Sequence, residues 1–206
     1  MVPIKTLLLV AALGFGALSG CGSDSARGPD IVGGVLAPTS SEAKAMLHLR
    51  EEEKLARDVY ARLHADATFA NIEASEQQHF DQMGALVGAY GLADPALGKA
   101  AGQFLDPDLQ ALHDALVAKS ALSPTEALTV GAEIEELDIA DLDVAIAGST
   151  HADATSVYEQ LQRGSRNHLR TFHGRLLAVG VTYAPKHLDA AKYQAIVTSA
   201  KETGKP

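Results

Sequence analysis

The sequence predicts an all-α fold: two antiparallel helical hairpins joined by a long crossover, with a short C-terminal helix after them. Three observations predict it. Apolar residues recur at alternating intervals of three and four along four long segments, as in helices that bury one face. Ala and Leu are plentiful, while aromatic residues make up 5% of the chain and Trp is absent, which favours helices over β-branched strands. The pattern breaks over residues 91–123, around Pro95, Gly98, Gly102 and Pro107, a stretch too long for a hairpin turn.

Taken in order, residues 1–21 carry Lys5 ahead of an apolar run from Leu7 to Leu18, too short for a comfortable membrane span. Residues 22–40, rich in Gly, Ser and Pro, read as a flexible tether without chemistry of its own. The domain is expected over residues 41–182, followed by a tail, 183–206, with one short helix near Leu188–Ser199. Its first helix runs from about Ser41 to His64, with the inward seam Met46, Leu49, Glu53, Ala56, Tyr60 and Leu63. The second runs from Ala67 to Tyr90 after the capping residue Asp66, with the seam Phe69, Ile72, Glu76, His79, Met83, Leu86 and Tyr90. The crossover has room for one short helix around Leu109–Ala118. A third long helix opens on Ser123-Pro124, a cap followed by a proline suited to the first turn, and carries Leu128, Ala132, Glu135, Ile139, Leu142 and Ile146 inward. The fourth starts near the capping residue Asp153, presents Val157, Leu161, Gly164 or Ser165, His168, Phe172, Leu176 and Val179, and stops before Pro185.

Acids and imidazoles interrupt all four stripes, so their heights decide whether they meet. From Glu53 to His64 is eleven positions and from Asp66 to Glu76 is ten, which sets these two carboxylates level. From Glu135 to Ala147 is twelve positions and from Asp153 to His168 fifteen, a mismatch of about one helical turn. Glu76 and His79, three apart, point at one spot, as metal ligands of helical bundles do. An ionised carboxylate buried without a partner costs several kcal/mol, and a divalent cation removes that cost. Of the run Glu51-Glu52-Glu53, at least two are expected to be solvated. Tyr60 and Tyr90 read as core aromatics, and His48, His64, His113, His151, His173 and His187 as surface or incidental. Arg57, Arg163, Arg166 and Arg170 are expected to support Glu52, Asp58 or Asp138 from outside the site.

These residues carry a family resemblance. Glu53-Lys-Leu-Ala56-Arg57-Asp-Val-Tyr60 resembles the first metal-binding helix of rubrerythrin-type ferritin-like proteins, Glu76-Gln-Gln-His79 their second, and His168-Leu-Arg-Thr-Phe172 the end of their fourth. Met46 to Val179, with Arg50-Glu-Glu-Glu-Lys54, Ile134-Glu-Glu-Leu-Asp-Ile139 and Gly164-Ser-Arg-Asn-His168, is similar to an uncharacterised ferritin-like branch of exported bacterial proteins. The resemblance implies a ferritin-like four-helix bundle with a di-iron or di-manganese site. Glu53 and Glu76 would be carboxylate ligands, His79 and His168 imidazole ligands, and Glu135 the third-helix carboxylate. Where the family pattern has Glu, three residues before His168, this chain has Ser165, so the site is asymmetric, singly occupied, or completed by Glu136, Asp138 or Glu133. The expected activity is redox chemistry, such as ferrous iron oxidation or peroxide reduction, with a non-catalytic metal-binding or interaction module as the alternative.

The segment ending in Leu18-Ser19-Gly20-Cys21 resembles a bacterial lipoprotein signal, with Cys21 the lipidated residue. It implies a membrane partner through that anchor and a place in the cell envelope, at the outer membrane if the cell is Gram-negative. Without residues 1–21 the chain carries 16 basic against 26 acidic residues, a net charge of −10, so nucleic acid is not an expected partner. The oligomeric state stays open, with a dimer as one option.

Overall fold

Short polar side chains set where most of the helices begin. Ser40, Asp66, Asp106, Ser123 and Asp189 each accept hydrogen bonds from backbone N–H groups of the first turn that follows, and Pro107 and Pro124 occupy first-turn positions where no N–H is needed. The structure, a computed structural model, describes residues 28–203. Among the described residues there are six helices and no strand: α1 Ser41–Arg62, α2 Ala67–Ala89, α3 Pro107–Ser120, α4 Pro124–Gly148, α5 Ala152–Ala178 and α6 Ala190–Thr198. None is long and apolar enough to cross a membrane. The signal-like segment and Cys21 lie outside the described residues.

α1 packs along α2 and α4 along α5, each pair an antiparallel hairpin, and the pairs meet through α1 against α4 and α2 against α5. α3 lies over α1 and α4, and α6 lies on α5. Two apolar clusters fill the interior. One gathers Ala56, Tyr60, Phe69, Ile72, Ile139, Leu169 and Phe172, and the other Met46, Leu49, Met83, Leu86, Leu142, Val157 and Leu161. Along α1, α2 and α5 the polar candidates fall between the two, and on α4 Glu135 and Asp138 lie close to the boundary between Ile139 and Leu142, so a polar layer divides the core.

Three expectations change. α5 starts at Ala152, and Asp153 is no cap: its carboxylate accepts from the backbone N–H groups of Val32 and Gly33 and from the Tyr90 hydroxyl. That contact holds down residues 31–36 of the stretch read as a tether, since Gly34 N–H also donates to Ala89 O and Ile31 and Leu36 pack on the second apolar cluster. Gly33 supplies the required turn, with φ +76° and a Cβ position only 2.5 Å from Ala89 O.

The third concerns Glu51, Glu52 and Glu53, which are 3%, 5% and 1% exposed, so none is solvated. α1 is enclosed by α2, α4 and the crossover, and several of its charges, though not those of Glu52 and Glu53, are matched locally. Glu51 accepts from the N–H groups of Leu105 and Asp106, Arg50 pairs with Asp94 at 2.9 Å, and buried Lys54 bonds Asp58 and Ala100 O. A run of like charges on one helix reads as a wet face only while nothing is known of the loop that folds over it.

Candidate metal centre

Each long helix delivers one or two members of the polar layer. α1 gives Glu53, α2 gives Glu76 and His79 one turn apart, α4 gives Glu135 and Asp138, and α5 gives Ser165 and His168. Glu76 lies at the middle: its Oε2 is 2.8 Å from His79 Nδ1 and its Oε1 2.6 Å from His168 Nδ1. Glu53 Oε2 stands 3.4 Å from His79 Nδ1, and Glu135 Oε2 3.4 Å from His168 Nδ1. The two imidazoles stack with centroids 5.7 Å apart. Glu53, Glu76 and His79 form one group of donor atoms close enough to hold a cation, and Glu76, Glu135 and His168 form another, with Glu76 common to both.

The surroundings fix these side chains. The Tyr60 hydroxyl donates to Glu135 Oε1 at 2.6 Å, so Tyr60 is both the core aromatic expected and a polar contact of the site. Ser165, standing where a further Glu was expected, donates to Asp138, which takes Asp138 towards Ser165 rather than His168. A Cβ at Gly164 would lie 2.6 Å from His79 Cε1 and Nε2, so the glycine makes room for the ring. Tyr60, Phe69 and Phe172 close the layer on one side with centroids 5.4 to 5.8 Å apart. Between α2 and α5 a groove of about 530 Å³, lined by Asn71, Ser75, Asn167, Thr171 and Lys201, reaches Gly164 and His168.

Glu53, Glu76, His79, Glu135 and His168 therefore come together. Glu136 does not: it is fully buried but faces the tail, accepting from the Tyr183 hydroxyl and the N–H groups of Lys186 and Leu188. Consecutive residues on a helix point about 100° apart, so Glu135 and Glu136 cannot both face the layer. Glu133 pairs with Lys119 and Lys186 and is also outside. Of the supporting arginines, Arg57 meets Asp58 and Gln77, whereas Arg166 and Arg170 bind Glu202 in the tail. Two histidines read as incidental are more than that. His113 is buried against Phe104 and Asp114, and His48 faces Glu52 and Asp141.

The layer is electrostatically incomplete as a set of protein groups alone. Both carboxylate oxygens of Glu53, Oε1 of Glu76, Oδ1 of Asp138 and Nδ1 of His168 are buried without a hydrogen-bond partner. Burial pushes the Glu53 carboxyl up to about 8 against the pull of His79, and burial with the Glu53 charge raises Asp138 well above the carboxylate range. Burial raises Glu135 as well. Burial opposes the Glu76 charge too, but His79 and His168 outweigh it and hold Glu76 below the ordinary range. Burial likewise opposes a charge on His168, yet Glu76 and Glu135 lift it to about 10.

These directions set a pH dependence for metal-free protein. Glu53 keeps its proton in the folded state between its ordinary 4.5 and about 8, so its contribution falls as pH rises through that window. The stability supplied by charged His168 is complete below 6.5 and is lost as pH rises towards about 10. Both act in one direction, so with chelator present the melting temperature is expected to fall from pH 5 to pH 8. Saturating Mn²⁺, which takes the place of the retained protons, is expected to flatten or reverse that slope in a melting series followed by circular dichroism.

Residues 42–200 match the family described as "Uncharacterized protein domain (DUF2202)", a span that runs on through α6. The chain is 42% identical over 171 residues to "Uncharacterized protein MJ0754" of Methanocaldococcus jannaschii, covering 81% of this chain and 92% of that protein. The crystal structure of hypothetical protein MJ0754 superposes with a TM-score of 0.77 at 40% identity, covering 81% of this chain and 98% of that one. The relative is archaeal, whereas the sequence resemblance pointed to a bacterial branch. With the family match across most of its length and this relative alongside, the chain belongs to the DUF2202 domain family.

Proposed function

We propose that the protein is a ferritin-like metalloprotein whose four long helices hold a dinuclear iron or manganese centre for redox chemistry, ferrous iron oxidation or peroxide reduction, at the cell envelope. The observation that carries the reading is the shared carboxylate of Glu76 between two imidazole-containing donor groups, surrounded by buried oxygens that no protein group satisfies. Charge agrees with it. Once ionised, Glu53, Glu76, Glu135 and Asp138, all buried, would bring four negative charges into the layer, the number that two divalent cations neutralise. Mixed carboxylate and imidazole donors suit iron or manganese better than magnesium or calcium.

Bound there, such ions supply electron transfer to oxygen species at open coordination positions. The chain's own residues supply the setting. Glu53 with His79, and Glu135 with His168, would hold the two positions, and Glu76 would join them. Tyr60 orients Glu135, and Ser165 orients Asp138. The α2/α5 groove gives a small polar solute a path to His168, while Phe69 and Phe172 keep water from the opposite side. The envelope location rests on the lipoprotein-like segment and Cys21.

The test is anaerobic reconstitution of the protein with Fe²⁺, elemental analysis after desalting, and stopped-flow absorbance on mixing with oxygen or hydrogen peroxide. Two irons per chain that oxidise faster than free Fe²⁺ are expected. Protein that emerges without metal defeats the reading. Metal held but inert to both oxidants favours the non-catalytic metal-binding module instead.

A further inference from the structure

We propose a second, mononuclear cation site on the α1/α4 face, made by His48, Glu52 and Asp141, which takes a borderline divalent ion such as Zn²⁺, Co²⁺, Mn²⁺ or Fe²⁺. It does not rest on the reading of the buried layer. His48 and Glu52 lie one turn apart on α1, and Asp141 faces them from α4. His48 Nε2 is 3.5 Å from Glu52 Oε1 and 3.5 Å from Asp141 Oδ2. All three donor atoms fall within 4.8 Å of one another.

Spacing and satisfaction both argue for an ion rather than a hydrogen-bonded triad. At 3.5 Å a ring N–H sits beyond the usual 2.7 to 3.2 Å of a good N–H···O bond. Ligand bonds of about 2.0 to 2.1 Å in a tetrahedral shell place neighbouring donors roughly 3.4 Å apart, close to what is found. Glu52 is buried, and neither of its carboxylate oxygens has a hydrogen-bond partner. Asp106 Oδ2, 3.8 Å from His48 Nδ1, adds a third carboxylate beside the ring. An unmatched carboxylate at this depth is costly, and a cation between Glu52, Asp141 and His48 removes the cost.

The side chains of His48 and Asp141 are 41% and 35% exposed, so one side of the shell opens to water and the ion exchanges readily. The imidazole donor favours transition ions over Ca²⁺ and Mg²⁺. α1 against α4 and α2 against α5 are opposite sides of the helical body, so this site and the groove to the buried layer open on opposite faces.

The test is Co²⁺ binding to the protein, read by equilibrium dialysis and by visible absorption of the bound ion. Wild type is compared with His48→Ala, Asp141→Asn and the double variant, which leave buried Glu52 in place, and circular dichroism melts check folding. Each variant is expected to melt cooperatively, as a folded protein does, and the double variant to bind one Co²⁺ fewer per chain, the lost ion being the first that dilute chelator removes. Equal stoichiometry in wild type and double variant overturns the proposal. So does displacement of this ion by Mg²⁺. If the buried layer bound nothing, wild type would still hold one Co²⁺ that the double variant lacks, so failure there leaves this result readable.

Discussion

Glu76→Ala is expected to strip the polar layer of metal and to destabilise the metal-free fold as well. Its two oxygens are the ones that approach both imidazoles, at 2.8 and 2.6 Å, so no other single change touches both donor groups. Loss of a group that merely supports a ligand commonly costs 10–100-fold in metal affinity, so removal of a shared ligand should cost at least about 100-fold. Without metal, the substitution leaves His79 and His168 buried and facing each other without the ionised group that matches them. Breaking a buried ionic contact by removing one partner costs about 3–5 kcal/mol. Elemental analysis and urea unfolding of the desalted protein measure the two effects. A variant with wild-type metal content and wild-type stability would place the chemistry somewhere other than this layer.

The second large effect is expected from a single methyl group. In Gly164→Ala the new Cβ would lie 2.6 Å from the His79 ring, inside any tolerable contact. The ring has nowhere to retreat, because Glu76 and Glu53 hold its Nδ1 and the side chain is buried on all sides. Either the ring turns away from the layer or α5 moves off α2. Overpacking of this kind costs about 1–3 kcal/mol, and metal bound beside Glu53 should be lost with it. Gly174→Ala, ten residues along the same helix with nothing within 4 Å of its Cβ, is expected to stabilise by about 0.5–1 kcal/mol. Opposite signs for one substitution on one helix, read as unfolding free energies, isolate the close approach. A Gly164→Ala protein as stable and as metal-loaded as wild type would mean that His79 does not depend on that gap.

The sequence carried the helices and most of the polar layer because both depend on local spacing. Caps at Asp66 and Ser123, the break at residues 91–123 and the seam positions of Glu53, Glu76, His79, Glu135 and His168 are properties of neighbours three and four residues apart. What could not be read depends on contacts between distant segments. Asp153 is taken from its capping position by residues 32 and 33, more than a hundred positions away in the chain. Glu136, Asp138 and Glu133 all stand in the sequence as completing acids, Asp138 further from the level of His168, and only distant contacts place them: Glu136 with Tyr183 and Lys186 in the tail, and Asp138 with Ser165 on α5. His48, Glu52 and Asp141 lie off both seams, so no periodicity singles them out. His113 is buried by a crossover loop whose path has no sequence period at all.

The charged stretch of α1 has a mechanical consequence. Arg50, Glu51, Lys54 and Asp58 each engage a different point of the chain outside α1: Asp94 and Phe80 O, the amides of 105 and 106, Ala100 O, and the amide of Gly102. Greasy helices can creep along one another and trade one contact for a similar one. This helix cannot, because an axial slip of one turn, about 5.4 Å, would disengage every tooth together. The ratchet therefore indexes Glu53 against Glu76, and a one-residue insertion or deletion between Arg50 and Asp58 should be tolerated far less well than any apolar exchange in the same helix.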